Sequence, residues 1–264
     1  MAEMMPDWFV PLLARALQAV EPALDVQVLP QVDSTNSALM RRVRGGSATP
    51  TLLVAEVQTA GRGRMGRQWR QGGAGAALAF SLALPLAPRD WSGLSLAVGV
   101  AVAESLDPAI RLKWPNDLWW RGRKLGGILI ETAAAPGVAA PRWVVIGVGI
   151  NVRPPPVDPG LSPQPASLQD LGCQAEAPAL LQRVALPVLR AVRQFERDGF
   201  APFVAGFEKR DVLAGRQVQL SDGTRGVAAG VDAGGALCVQ TGAGLQRVHS
   251  LEVSVRPEDV AVSP

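Results

Sequence analysis

The stretch from Leu118 to Val152 constrains the fold most tightly. Its apolar runs Leu118–Trp120 and Lys124–Thr132 are separated only by Arg121-Gly122-Arg123, and Trp143–Val152 follows as a third run. Three residues suffice for a hairpin but not for the crossover that a parallel pair needs, so the spacing predicts neighbouring antiparallel strands. Upstream, Val26–Leu29, Thr51–Gln58 and Ala76–Leu84 read as strands, and Ile110–Trp114 as a strand stopped by Pro115. Between them, Asp33-Ser34-Thr35-Asn36 is a cluster of capping residues opening a helix toward Val43. Trp91–Leu106 reads as a helix with Leu94, Val98, Ala101 and Val102 on its apolar face, and Pro178–Phe195 as another with Leu181, Val184, Val188, Val192 and Phe195 on one face. From Val212 the texture changes to short alternating strands cut by Ser221-Asp222-Gly223, Ala233-Gly234-Gly235 and Gly242-Ala243-Gly244, the pattern of a small β-barrel.

The expected fold is therefore α+β: a mixed, mostly antiparallel sheet with flanking helices, followed by the small β domain. An N-terminal helix is expected within residues 1–25, the large domain over 26–210 and the small one over 211–264. At 48% hydrophobic residues, a chain of 264 can bury a full core without staples. The two cysteines, Cys173 and Cys238, are far apart and form neither a disulfide framework nor a zinc motif, which fits a reducing cytoplasm. Asp7 and Arg15 interrupt the apolar stretch Asp7–Val20, so it reads as an amphipathic helix rather than a leader or a membrane span. A single histidine, His249, and no tyrosine argue against a Ser-His-Asp triad or a histidine-based metal centre. His249 and Cys238 are read as structural. The net charge of +3, with no long run of like charges, argues against a nucleic-acid-binding tail.

Lysine is scarce, and its placement is informative. Lys113, Lys124 and Lys209 are the three lysines, and the first two share one short segment. A chain that uses arginine for solubility keeps lysine where a compact ammonium is specifically useful. Three further segments carry candidate chemistry. Gly61-Arg62-Gly63-Arg64-Met65-Gly66-Arg67 alternates a flexible residue with a fork donor, so its backbone can approach a ligand while its arginines grip carboxylate or phosphate oxygens. By itself it also fits a solvated basic turn or a nucleic-acid-binding segment. Lys113-Trp114-Pro115-Asn116-Asp117, followed by Lys124-Leu125-Gly126-Gly127, presents an amide, a carboxylate and two ammonium groups around one hairpin, although Pro, Asn and Asp are also ordinary turn formers. Gly147-Val148-Gly149-Ile150-Asn151 leaves one strand face bare, which suits a flat ligand or a close-packed neighbour.

Taken in order, these segments closely resemble the bacterial biotin protein ligases, from about Val28 to the C-terminus. The resemblance implies a class II synthetase-like catalytic domain and an SH3-like C-terminal domain. It assigns biotin binding to Ser34, Thr35, Asn36, Gln58, Gly61, Arg62, Gly63, Arg64, Lys124, Gly126 and Gly127. It puts Arg64, Arg67, Trp69, Lys113, Asn116, Asp117 and Asn151 on the ATP side, with Trp69 packing on the adenine and Lys113 facing the phosphates. Lys124, Arg64, Lys113 and Asp117 are the implied catalytic set. Substrates would be biotin and ATP with Mg²⁺, joined as biotinyl-5′-AMP, and the acceptor a lysine of a biotin carboxyl carrier protein. No metal ligand is assigned.

Met65 stands where the family loop often has another arginine, so no charge is expected to act there. No helix-turn-helix domain is recognisable before Val28, and no DNA partner is expected. Monomer and homodimer stay open. The chemistry suits the residues: a carboxylate and an α-phosphate about 4 Å apart repel by about 4 kcal/mol at an effective dielectric of 20, which fixed cations can remove. The glycine-rich loop is expected to order over the adenylate and exclude water. Three readings remain open beside this one: a lipoate-type ligase of the same fold, a biotin-responsive sensor without turnover, and a nucleic-acid-binding module.

Overall fold

The computed structural model describes residues 8–46, 48–134, 141–249 and 256–257. Asp7, the predicted start of the first helix, lies outside them. In chain order the elements begin with helix α1 (Val10–Gln18), strand β1 (Asp25–Val32), helix α2 (Thr35–Arg44), strands β2 (Thr51–Gln58) and β3 (Ala77–Leu86), and helix α3 (Leu94–Leu106). Strands β4 (Arg111–Lys113), β5 (Asp117–Trp120), β6 (Arg123–Ala133) and β7 (Arg142–Asn151) follow, then helices α4 (Ala177–Asp198) and α5 (Val204–Glu208). The chain closes with β8 (Gln217–Gln219), β9 (Arg225–Val231), β10 (Leu237–Thr241), β11 (Gly244–Val248) and β12 (Arg256–Pro257).

The first sheet has seven strands in the order β1-β2-β3-β7-β6-β5-β4. Only β1 and β2 pair in parallel, because α2 supplies the crossover between them; every other pair is antiparallel, as the short turn at Arg121–Arg123 requires. The second sheet is antiparallel, in the order β11-β10-β9-β8-β12. It docks on the first domain through the Trp114 indole, which donates to the Gly235 carbonyl at 3.1 Å. The edge strand β4 also gains a parallel bridge, Leu112 to Asp211.

The two faces of the large sheet are covered differently. On one face α1, α3 and α4 bury Leu13, Leu17, Val98, Val102, Val184, Val188 and Phe195 in a continuous core. On the other, α2 covers only part of the sheet with Leu39, Met40 and Val43, against Leu53, Ala83 and Val145. The uncovered remainder is the floor of a cleft. Ser34 caps α2 as its spacing predicts, its Oγ accepting from the Ser37 N–H. Helix α3 departs from the expected single apolar face: Leu96, Ala97, Val100 and Ala103 are buried too, because other elements pack around it on several sides. The five-residue helix α5, too short to show a period, was not predicted from the sequence.

Candidate active site

Alternation along the strands makes the cleft floor. Gly127 pairs with Gly149 and Leu129 with Gly147, while Ala79 and Ser81 of β3 lie opposite the same two glycines. These are mostly small residues, so the floor is low and leaves space above the sheet. A register shift between β5 and β6 pairs Leu118 with Gly126 but Trp119 with Lys124, leaving Leu125 as the extra residue. This bulge buries Leu125 and puts Lys124 on the same face as Gly127, whose Cβ position lies 3.4 Å from Lys124 Nζ. A strand without it would carry the lysine to the other face.

The cleft encloses about 550 Å³ and brings together Ser34, Thr35, Asn36, Gln58, Arg62, Gly63, Arg64, Arg67, Trp69, Lys113, Asn116, Asp117, Lys124, Gly127 and Asn151. Of the residues singled out in the sequence, Gly61 and Gly126 do not line it. Each is a packing glycine: a Cβ on Gly61 would lie 2.6 Å from the Trp69 carbonyl oxygen, and one on Gly126 2.5 Å from that of Gly149.

One end of the cleft is a largely buried polar network. Gln58 Oε1 accepts from the Thr35 N–H at 2.8 Å and lies 3.2 Å from the Thr35 hydroxyl oxygen. Ser81 Oγ sits 2.7 Å from Thr35 Oγ1 and 2.6 Å from Asn36 Oδ1, and Asn36 Nδ2 donates to Glu131 at 3.1 Å. Asn36 fits only because residue 147 is glycine, since a Cβ there would lie 2.2 Å from its Oδ1. The bare face read in the Gly147–Asn151 strand is thus filled partly by the protein itself. Gly149 likewise makes room for the Trp69 indole, whose ring atoms lie 2.9 to 3.3 Å from a Cβ built there.

The other end is charged. Lys124 Nζ pairs with Asp117 at 2.7 Å, and Lys113 Nζ lies 4.7 Å from the centre of the Trp119 ring. Burial pulls the Arg64 guanidinium below its ordinary pKa; Asp117 opposes the shift and Arg67 adds to it. Asn116 donates to the Ile128 carbonyl at 2.8 Å, fixing the 114–117 turn to β6, and Asn151 donates to the Ala166 carbonyl at 2.9 Å.

The glycine-rich loop spans the two ends. It forms a narrow hairpin closed by Gly63 N–H to Arg67 and Trp69 N–H to Gly61, with a 3-10 turn at Arg64–Gly66. Met65 sits at its tip, 76% exposed, in a left-handed conformation with φ of 55°. Arg70 reaches Asp158 across to the proline-rich segment at 3.2 Å. Ser81 and Glu131 were not singled out from the sequence. Ser81 carried one signal, a lone polar residue within the apolar run Ala77–Leu86; Glu131, in a strand that also holds Arg123, Lys124 and Thr132, carried none.

Among the described residues no three His, Cys, Asp or Glu side chains gather as a metal site, and no helix is long and apolar enough to cross a membrane. A sheet floored with glycine, a glycine-spaced arginine loop and a paired lysine suit an acid-activating site of the biotin and lipoate ligase type. The Biotin/lipoate A/B protein ligase family model matches residues 28–151, and the Biotin protein ligase C terminal domain matches residues 214–256. The bifunctional ligase/repressor BirA of Escherichia coli (strain K12) is 36% identical over 240 residues, covering 88% of this chain and 74% of that relative. The biotin--[acetyl-CoA-carboxylase] ligase of Paracoccus denitrificans is 35% identical over 251 residues, covering 86% of this chain and 98% of its own. A solved biotin protein ligase from Aquifex aeolicus, in complex with biotin and ATP, superposes with a TM-score of 0.74 at 27% identity, covering 89% and 99% of the two chains. The chain belongs to the biotin protein ligase family.

Proposed function

We propose that this protein activates biotin with ATP as biotinyl-5′-AMP and transfers the biotin to a lysine of a carboxylase's biotin carboxyl carrier protein. The observation that carries the reading is the union, in one cleft, of a polar pocket with a cluster of Arg64, Lys113 and Lys124. A polar pocket suits the uncharged ring end of biotin. The cluster suits the meeting of its carboxylate with a polyphosphate, where repulsion is the main barrier.

In this reading Lys124 leaves Asp117 to bridge the biotin carboxylate and the α-phosphate, and Arg64 stabilises charge in the in-line transition state. Lys113 faces the departing phosphates, and Arg67, Trp69, Asn116, Asp117 and Asn151 form the nucleotide side. Asp117, released from Lys124, is the candidate acceptor of the carrier lysine's proton. The 61–75 loop and the segment joined to it by Arg70 and Asp158 close over the adenylate and exclude water. Mg²⁺ belongs to the nucleotide substrate: the cleft offers single carboxylates rather than a cage, which suits an ion held largely by phosphates and water. The free thiols of Cys173 and Cys238 support a reducing cytoplasm as its location. The lipoate and sensor readings are not favoured beside relatives named as biotin ligases.

The deciding experiment is exchange of labelled pyrophosphate into ATP by the purified protein, with biotin and lipoate in parallel. Biotin-dependent exchange is expected. Exchange with lipoate alone, or with neither acid, rejects the proposal.

A further inference from the structure

We propose that Glu131 is the positioning residue for the acid-binding end of the cleft, setting the hydrogen-bond polarity of its floor and tethering the arginine loop above it. The inference rests on the biotin-ligase reading and concerns a residue outside the sets assigned above. Glu131 follows Gly127 and Leu129 at two-residue spacing, so β6 delivers it to the cleft face just beyond the floor. One of its oxygens, Oε2, accepts from two groups: Asn36 Nδ2 at 3.1 Å and the Arg62 guanidinium at 2.5 Å. Asn36 belongs to α2 and Arg62 to the loop, so a single carboxylate ties three separate parts of the site together.

The chemical consequence follows from what each group can do. A carboxylate paired with a guanidinium only accepts, so it forces the Asn36 amide to turn its NH₂ toward β6. The Leu129 carbonyl, 3.3 Å from the same nitrogen, reinforces that orientation. Asn36 Oδ1 must then face Ser81, which spends its one proton there and is left to accept from Thr35. Thus the Thr35 hydroxyl, which lines the cleft, inherits its donor assignment from Glu131 some distance away and keeps its oxygen as the acceptor for a ligand, while Gln58 is oriented by the Thr35 N–H. Asn36 has no room to settle elsewhere, lying directly over Gly147. Arg62, neutralised by Glu131, anchors the loop, leaving the acid's carboxylate to Arg64 and Lys124.

The test is steady-state pyrophosphate exchange by Glu131→Gln, with KM measured separately for biotin and for ATP. Gln keeps the size but can present an NH₂ to Asn36 and loses the ion pair with Arg62. KM for biotin is expected to rise about tenfold or more, as for loss of one charge-assisted hydrogen bond, with KM for ATP within about twofold of wild type. An Asn36→Ala/Glu131→Gln pair should be strongly non-additive for biotin, because both changes break one network. Equal rises in both KM values, additivity, or no change in the biotin KM would overturn the assignment. If Glu131→Gln folds poorly, Arg62→Ala at an exposed position carries the test: a rise of about two- to fivefold in biotin KM alone is expected for loss of the tether, and none overturns it. Wild-type exchange run alongside separates the two claims, since absence of biotin-dependent exchange there rejects the ligase reading itself.

Discussion

At the α2 end of the cleft, Thr35, Asn36, Gln58 and Ser81 are tied into one hydrogen-bonded network, and Thr35, Asn36 and Ser81 are all but sealed from solvent. At the β4–β5 end, Arg64, Lys113 and Lys124 gather around Asp117, and the Lys124 side chain is 41% exposed. The first end is rigid because every displaced polar atom would lose a partner in a low-dielectric setting. The second is held by the exchangeable Lys124–Asp117 ion pair, which a substrate carboxylate or phosphate can replace without leaving a charge buried alone. Recognition of a ring and activation of an acid thus fall to different physics within one cleft. The glycine-rich loop spans both, with Arg62 fixed at the rigid end and Arg64 at the exchangeable one.

The sharpest way to break this division is Lys124→Ala. Exchange should fall about a thousandfold, the scale of removing one transition-state charge partner, while equilibrium biotin binding changes by less than about threefold. Loss of biotin binding in the same proportion would show that the two ends are not separable. Asp117→Asn comes next. Adenylation should persist while transfer to the carrier lysine falls about tenfold to a hundredfold, as for loss of a general base; an unchanged transfer rate would remove Asp117 from that role. Gly147→Ala attacks the other end. Its new methyl would lie 2.2 Å from Asn36 Oδ1, a short buried side chain with nowhere to yield. Biotin affinity should drop and stability fall by about 1–3 kcal/mol, as for overpacking, whereas Gly73→Ala, with no atom within 4 Å, should stay within about 0.5 kcal/mol of wild type. Calorimetry and thermal melts on the pair check this, and equal effects would contradict a rigid floor.

How much of this was legible in the sequence follows the same line. The cationic end could be read directly, because scarce lysines and glycine-spaced arginines stand out against the rest of the chain, and the capping cluster at Ser34–Asn36 announced its helix. The rigid end was half hidden. Ser81 sits within the apolar run Ala77–Leu86, and Glu131 near the end of β6; only the strand register, which sets both against the Gly147 region, brings them to Asn36. The facing of Lys124 was equally out of reach, since it depends on the bulge at Leu125 and strict alternation predicts the opposite side. The alternating glycines of β7 were visible, but not that Asn36 and Trp69 occupy the space they leave. Local pattern fixes elements and charges; partners far apart in sequence need the register.

The smallest expected effect tests what supports the cationic end. Strand β4, which carries Lys113, is only three residues long and borrows a further neighbour through the Leu112–Asp211 bridge. Asp211 is poorly placed for a charge: burial pushes its carboxyl up to about 6, partly offset by the backbone N–H groups of Leu213 and Ala214, with Glu208 adding repulsion. One of its oxygens, Oδ2, is buried without a hydrogen-bond partner. Because the folded pKa lies above the unfolded value, the folded state binds more protons between about pH 4 and 6. The stabilising contribution of the neutral carboxyl is therefore complete below about pH 4 and lost as pH rises through about 6. Asp211→Asn keeps the Oδ1 acceptor that Leu213 N–H uses at 2.8 Å and never acquires the charge. Its stability relative to wild type should grow by about 1–2 kcal/mol between pH 4.5 and pH 7.5, read from paired denaturant melts. A gap that stays flat across that range would mean Asp211 is hydrated in solution, and that the junction beneath Lys113 is looser than the bridge implies.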